Sequence, residues 1–286
     1  MQAVIDIGSN SVRLLISNGE TSEKFIKITK LAQGLALSGD LNETAIARTA
    51  DAVHYFYDKA KNLNAKNIFV FATAAVRNAK NGKDFTDFVK KNYNIDIDVI
   101  SGLQEARCGL DGVLKGRDGA IIDIGGASSE ITVRKDGKTV YSYSLDLGGV
   151  KILDKCGQSL DKIYALCKKK VEEYGDIPLS EFYAIGGTAT SIASIKLKLK
   201  VYDKNIVHLH KLSQDDVKKV IELLASKTVE ERKSIDGLQP ERADVILGAS
   251  VFLDTIMDKI GVSEIFVSED DNLDGYLYLK GVKNEQ

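Results

Sequence analysis

What this chain lacks closes several common routes to function. It has three cysteines, Cys108, Cys156 and Cys167. They form no CxxC pair and their number is odd, so neither a disulfide framework nor a zinc knuckle is expected. A reducing compartment fits that usage. No apolar run is long enough to span a bilayer. The opening Met1-Gln-Ala-Val-Ile-Asp6 has neither the basic nor the apolar region of a secretory signal. A cytoplasmic protein without membrane contact is therefore expected. Charge of one sign is not in excess, because 39 Lys+Arg stand against 41 Asp+Glu. That balance gives no support to coating DNA or RNA, though it leaves room for a local basic pocket. There is no Gly-x-x-x-x-Gly-Lys-Ser/Thr segment, which excludes a P-loop NTPase.

What is present reads as an ordered α/β protein. The 286 residues suffice for two domains, and 44% hydrophobic with 28% charged residues excludes disorder. Strands are expected at 3–7, 12–16 and 23–29, with Asn18-Gly19 as a hairpin turn. A helix is expected over 42–63, where Ala45, Ile46, Ala50, Val53 and Phe56 recur at helical spacing. A strand at 67–72, a helix at 83–92, a strand at 95–100 and a helix from 103 follow. After the polar break Lys115-Gly-Arg-Asp-Gly119 the series restarts, with strands at 119–124, 130–134 and 139–145. Later come a strand at 182–185, helices at 213–226 and 241–260, and a strand at 264–268. The alternation predicts mixed sheets covered by helices. The expected domains are 1–115 and 116–286, with the final helical stretch packing back on the first.

The restart carries the functional signal. Val4-Ile-Asp-Ile-Gly-Ser9 recurs as Ile121-Ile-Asp-Ile-Gly-Gly126, each opening a β-β-β-α series. This is the repeat of a whole domain, and two such domains imply a cleft between them. A strand ending in Asp-x-Gly-x-small exposes backbone N–H groups in a tight turn, which makes an anion nest. Asp6 and Asp123 at the strand ends could hold hydrated Mg²⁺ or orient water. One such motif is equally a plain glycine hairpin; two in register point to phosphate.

Seven ordered segments then resemble one family. They are Asp6-Ile-Gly-Ser-Asn-Ser-Val-Arg13, Ala72-Thr-Ala-Ala-Val-Arg77, Ile100-Ser-Gly-Leu-Gln-Glu-Ala106, Asp123-Ile-Gly-Gly-Ala-Ser-Ser-Glu130, Ser144-Leu-Asp-Leu-Gly-Gly149, Ile185-Gly-Gly-Thr-Ala-Thr190 and Pro240-Glu-Arg-Ala-Asp-Val-Ile246. Together they look like the exopolyphosphatase / guanosine pentaphosphate phosphohydrolase family over nearly the entire chain. The resemblance implies the actin-like ATPase (ribonuclease H-like) superfold, with two similar domains around a cleft. It also implies Mg²⁺ as cofactor, inorganic polyphosphate or guanosine penta/tetraphosphate as ligand, and a homodimer. Longer members carry a further C-terminal helical domain, which is not expected within these 286 residues.

The resemblance places a catalytic, water-activating glutamate at Glu105 and a second catalytic acid at Glu130. It places metal at Asp123 and Asp6. Phosphate falls to Gly8, Ser9, Asn10, Gly125, Gly126, Ala127 and Ser128, with charge from Arg13 and Arg77. Gly186, Gly187 and Thr188 form a nucleotide or substrate loop. Taken alone, Glu105 also reads as a first-turn carboxylate favoured by the helix dipole, Arg13 as a solvent-facing arginine and Arg242 as a helix-start residue. His208 and His210 could ligate a metal only with a third ligand that is not evident. Lys196-Leu-Lys-Leu-Lys200 is either a polyanion strip or a solvated face. Two positions depart from the family: Gln104 replaces an acid, and Ala127 a glycine. These departures keep a non-catalytic sensor of the same ligands open beside the hydrolase. A kinase or chaperone of the superfold stands third.

Overall fold

The structure, a computed structural model, describes residues 1–280. The first half comprises β1 (Gln2–Ile7), β2 (Ser11–Ser17), β3 (Ser22–Ile28), α1 (Leu35–Ser38), α2 (Glu43–Asn62), β4 (Asn67–Ala72), α3 (Ala74–Asn78), α4 (Gly82–Tyr93), β5 (Asp98–Val99) and α5 (Gly102–Leu114). The second comprises β6 (Gly119–Ile124), β7 (Ser129–Lys135), β8 (Lys138–Leu145), α6 (Gly149–Cys156), α7 (Leu160–Val171), β9 (Phe182–Ile185), α8 (Gly186–Leu197), α9 (Lys204–Val207), β10 (His210–Ser213), α10 (Gln214–Ala225), α11 (Val229–Arg232), α12 (Ile246–Ile260), β11 (Glu264–Val267) and α13 (Asn272–Leu279).

Sheet order repeats as the sequence does. The first sheet runs β3-β2-β1-β4-β5 and the second β8-β7-β6-β9-β11-β10. In each, the opening three strands are antiparallel and the fourth lies parallel to the first. This is the doubled mixed sheet of the actin-like superfold. The repeat extends to register, with Asp6 opposite Arg13 and Asp123 opposite Glu130. The turns also match, since Gly8 N–H donates to Ser11 O at 2.9 Å and Gly125 N–H to Ser128 O at 3.0 Å. The two loops are thus one device built twice, with an arginine across from the aspartate in one copy and a glutamate in the other.

Helix α5 ties the halves together. Leu110, Val113 and Leu114 pack with Ile121, Tyr183 and Ile185 of the second sheet. Cys108 packs with Val4, Leu15 and Phe71 of the first, together with Leu273, Tyr276 and Leu277 of α13. The α5–α13 crossing is close enough that a Cβ on Gly275 would lie 1.7 Å from Cys108 O. Burial on both sheets fixes α5 as a shared wall, with its N-terminus at the mouth of the cleft. Ser101 and Gln104 form a reciprocal capping box there.

Two expected elements differ. Only Asp98 and Val99 of the expected 95–100 strand pair, because only the last two residues of β4 reach β5. The expected 241–260 helix is interrupted: Pro240–Arg242 forms a 3₁₀ turn and α12 begins at Ile246. That break leaves Arg242 turned to the cleft. Among the described residues, no helix is long and apolar enough to cross a membrane.

Candidate active site

The two glycine loops meet in the cleft. A Cβ on Gly126 would stand 2.7 Å from Ser9 Cβ, so glycine is what lets the loops touch. Their carbonyls are turned away and used: Ser9 O accepts from Ala32 N–H, Asn10 O from Lys30 N–H, and Gly126 O from Val150 N–H. Between the loops lies a pocket of about 90 Å³, several times the roughly 10–15 Å³ one water needs. Asp6, Gly8, Ser9, Asn10, Arg13, Glu105, Asp123, Gly125, Gly126, Ser128, Gly186, Gly187 and Thr188 line it.

Three expected site residues stand elsewhere. Arg77 lies behind Glu105, donating from Nη1 to Glu105 Oε2 at 3.0 Å and to Ile100 O at 2.9 Å. Glu130 is 1% exposed and does not line the pocket. Its Oε1 accepts from Ser144 Oγ at 2.6 Å. Ala127 is fully buried in the core of the first half, without a positive φ, so its methyl is packed away from the pocket. Gln104 is exposed and its side-chain oxygen accepts from Ser101 N–H at 2.9 Å. Neither departure from the family pattern alters the pocket lining.

The structure also adds residues. Asn272, on the first turn of α13, donates to Asp123 Oδ2 at 2.8 Å. Asp271 ion-pairs with Arg13 at 2.6 Å, while Arg13 also grips Asp6. Thr73 and Arg242 complete the wall. Asp271 and Asn272 follow β11, which runs parallel to β9, and the carboxyl ends of parallel strands are where such sheets bind ligands. That was the available signal. Arg242 is 9% exposed and its Nε donates to Gln239 Oε1 at 3.0 Å. Among the described residues no carboxylate pairs with it. A Cβ on Gly187 would sit 2.2 Å from its guanidinium, so glycine there admits the arginine. Beyond Arg242 a second cavity of about 200 Å³ shares Arg13, Gly186, Gly187 and Arg242 with the first.

Crowded burial sets the electrostatics. Burial pushes Glu105 up to about 7, against the pull of Arg77, with Asp123 and Asp6 adding repulsion. Burial raises Asp123 to about 6, against Arg13 and the Asn272 amide. Glu130 is pushed well above the usual range by burial and then by Glu105 and Asp123. Asp271 goes the other way: burial opposes its charge, but Arg13 and Lys24 hold it below its ordinary value. Burial draws Arg242 down to about 10, helped by Arg13.

Pocket-lining residues carry buried polar atoms without protein partners: both side-chain atoms of Asn10, Asp6 Oδ1 and, beside Gly109 of α5, Asn272 Oδ1. Such atoms are rare unless a ligand, ion or water answers them. No group of three or more His, Cys, Asp or Glu forms a metal cluster among the described residues. Asp123 and the unpartnered Asp6 Oδ1 could hold a divalent cation through one or two carboxylates plus ligand oxygens. His208 Nδ1 accepts from Glu269 N–H, and His210 Nε2 sits 3.2 Å from Lys196 Nζ. The φ of +58° at Leu209 breaks the alternation that would have aligned the two histidines.

Known proteins are similar to this chain. A family described as the Ppx/GppA phosphatase family matches residues 4–280. A bifunctional 3-dehydroquinate synthase/phosphatase of Fusobacterium nucleatum is 33% identical over all of this chain, which spans 47% of that relative's length. Exopolyphosphatase 2 of Mycobacterium tuberculosis is 28% identical, with 96% of each chain covered. The crystal structure of the Aquifex aeolicus Ppx/GppA family member superposes with a TM-score of 0.80 at 25% identity, covering 99% of this chain and 98% of that one.

Proposed function

The chain belongs to the Ppx/GppA phosphatase family, and on that footing we propose that it releases terminal orthophosphate from inorganic polyphosphate or pppGpp. One observation carries the reading: the Glu105 carboxylate faces a phosphate-sized pocket between two matched glycine loops, with Arg77 fixing its orientation. The terminal phosphoryl group sits between Gly8–Asn10 and Gly125–Ser128, both of which line the pocket apart from Ala127. Glu105 accepts the proton of an attacking water, and a base poised near neutrality suits that task. Asn10 and Arg242 supply donors to phosphate oxygens.

Phosphoryl transfer asks for positioning and charge neutralisation more than covalent chemistry. Asp123 and Asp6 would hold a divalent cation, proposed to be Mg²⁺, which supplies charge to the phosphate oxygens when bound. Glu130, deep beside Asp123, is favoured in its protonated form by burial and by the neighbouring Glu105 and Asp123, and orients the neighbouring polar groups. Residues up to about 115 form one jaw and those beyond it the other, with α13 returning to the first. The remainder of the substrate occupies the second cavity beyond Arg242, wide enough for more than a phosphate chain. The sensor alternative loses its basis, because Gln104 and Ala127 both lie off the pocket. A side-by-side assay of orthophosphate release from long polyphosphate, short polyphosphate and pppGpp tests the reading. Release from none of them, while a family enzyme works alongside, would end it.

A further inference from the structure

Outside the pocket, on the side of Glu105, the cleft opens into a groove of about 850 Å³. Arg77, Gly102 and Leu103 line it from the first half, and Ser128, Ser144 and Lys151 from the second. Ser128 lines both groove and pocket, so the two are neighbours with Ser128 between them. None of the groove's lining residues is shared with the cavity beyond Arg242. The pocket is therefore flanked by two separate spaces, one beside Ser128 and the Arg77–Glu105 pair and one beside Gly187 and Arg242.

The chemistry assigns them different traffic. In hydrolysis the water oxygen forms a new bond to the terminal phosphorus. The bond from that phosphorus to the bridging oxygen breaks, and its electron pair leaves on the shortened chain. The water proton passes to Glu105. Attacking and leaving oxygens lie roughly in line. Water held by Glu105 attacks from the groove side, so the shortened chain lies opposite, toward Gly187 and Arg242. While that chain stays in place it blocks its own side.

Resting on the phosphohydrolase reading above, we infer that the groove is the exit for released orthophosphate, and that the contact between Asn78 and Asp146 gates it. The groove's charge suits an anion, with Arg77, Lys151 and Lys155 facing the single acid Asp146. The side chain of Lys151 is 8% exposed, and Asp146 is its partner. Asn78 Nδ2 donates to Asp146 Oδ1 at 3.3 Å, joining the two halves of the protein across the groove. That length is at the weak end of the hydrogen-bond range. The gate is thus one long contact that a departing anion can displace, with Lys151 ready to exchange Asp146 for phosphate.

Bulk placed in the groove tests this without touching the pocket. Leu103 is 68% exposed, so Leu103→Trp narrows the groove from a surface position; Ala36→Trp does so from α1. Cleavage is read by quenching and chain analysis, and free orthophosphate by a fluorescent phosphate-binding reporter, on the intact chain with polyphosphate and Mg²⁺. Single-turnover cleavage is expected to stay at the parent rate while phosphate release lags it severalfold in both tryptophan variants. Asn78→Ala, which removes the gate, is expected to release phosphate at least as fast as the parent. Release that keeps pace with cleavage in both tryptophan variants overturns the exit. So does a proportional loss of cleavage itself, which would make the groove an entrance. If the parent cleaves no phosphate substrate, the underlying reading falls first, and that outcome is visible before any variant is made.

Discussion

Replacing Arg77 by methionine separates two roles that the sequence merges. The guanidinium touches Glu105 at 3.0 Å and does not line the pocket. Arg77 is also the largest influence holding the Glu105 carboxyl down against burial. An arginine beside a carboxylate typically lowers its pKa by about 1–3 units. Without Arg77, Glu105 should titrate about that much above its present value near 7. The base must be ionised, so activity rises with pH through the Glu105 value. In Arg77→Met the rising limb should move upward, and turnover at neutral pH should fall about 10- to 1,000-fold. Activity should return as the pH is raised, and the KM should change little. The assay is a pH profile of kcat and KM for orthophosphate release by parent and variant. If the KM rises steeply while the limb stays in place, Arg77 binds phosphate directly and the positioning argument is wrong.

Other consequences follow from the same geometry. Arg242→Gln should raise the KM about 10- to 100-fold, the cost of about 1.5–3 kcal/mol for a hydrogen bond to a charged group. It should also raise the thermal midpoint of the ligand-free protein, because a buried cation without a carboxylate partner is removed; a lower midpoint would show that the charge is compensated. Gly275→Ala, whose Cβ would lie 1.7 Å from Cys108 O, should cost about 1–3 kcal/mol in urea unfolding, and no loss would mean the α5–α13 crossing is looser than described. Glu105 binds its proton more tightly folded than unfolded, so its stability contribution is complete below its ordinary 4.5 and is lost as pH rises through about 7. At about 1.4 kcal/mol per unit that is on the order of 3 kcal/mol. The urea midpoint without metal should therefore fall from pH 5 to pH 8, roughly the window given by the cited values. A rising midpoint would contradict the buried acid cluster.

Much of this was legible in the chain because repetition is visible in one dimension. The two Asp-Ile-Gly segments are local, and each dictates its own strand, turn and strand. Glu105 was legible through its place after Ser101-Gly102. What escaped was what folding brings from afar. Asn272 reaches Asp123 from 149 positions away and Asp271 reaches Arg13 from 258, and neither carries a local signature beyond a helix start. Gln104 illustrates a different limit. As a letter it is a lost negative charge, but as the third residue of α5 it caps the helix with Ser101 and faces solvent. Arg242 depended on a helix breaking after Pro240, and periodicity carried the helix through that break.

In the proposed function, Glu105 is what turns a phosphate cradle into a hydrolase. Glu105→Gln keeps the size and the hydrogen bonding of the side chain and removes the base. Calorimetry with polyphosphate or pppGpp, paired with orthophosphate release on the same preparations, is the direct measurement. Binding is expected within a few-fold of the parent, with turnover reduced by about 10²–10⁴. Near-parental turnover in Glu105→Gln would contradict that role.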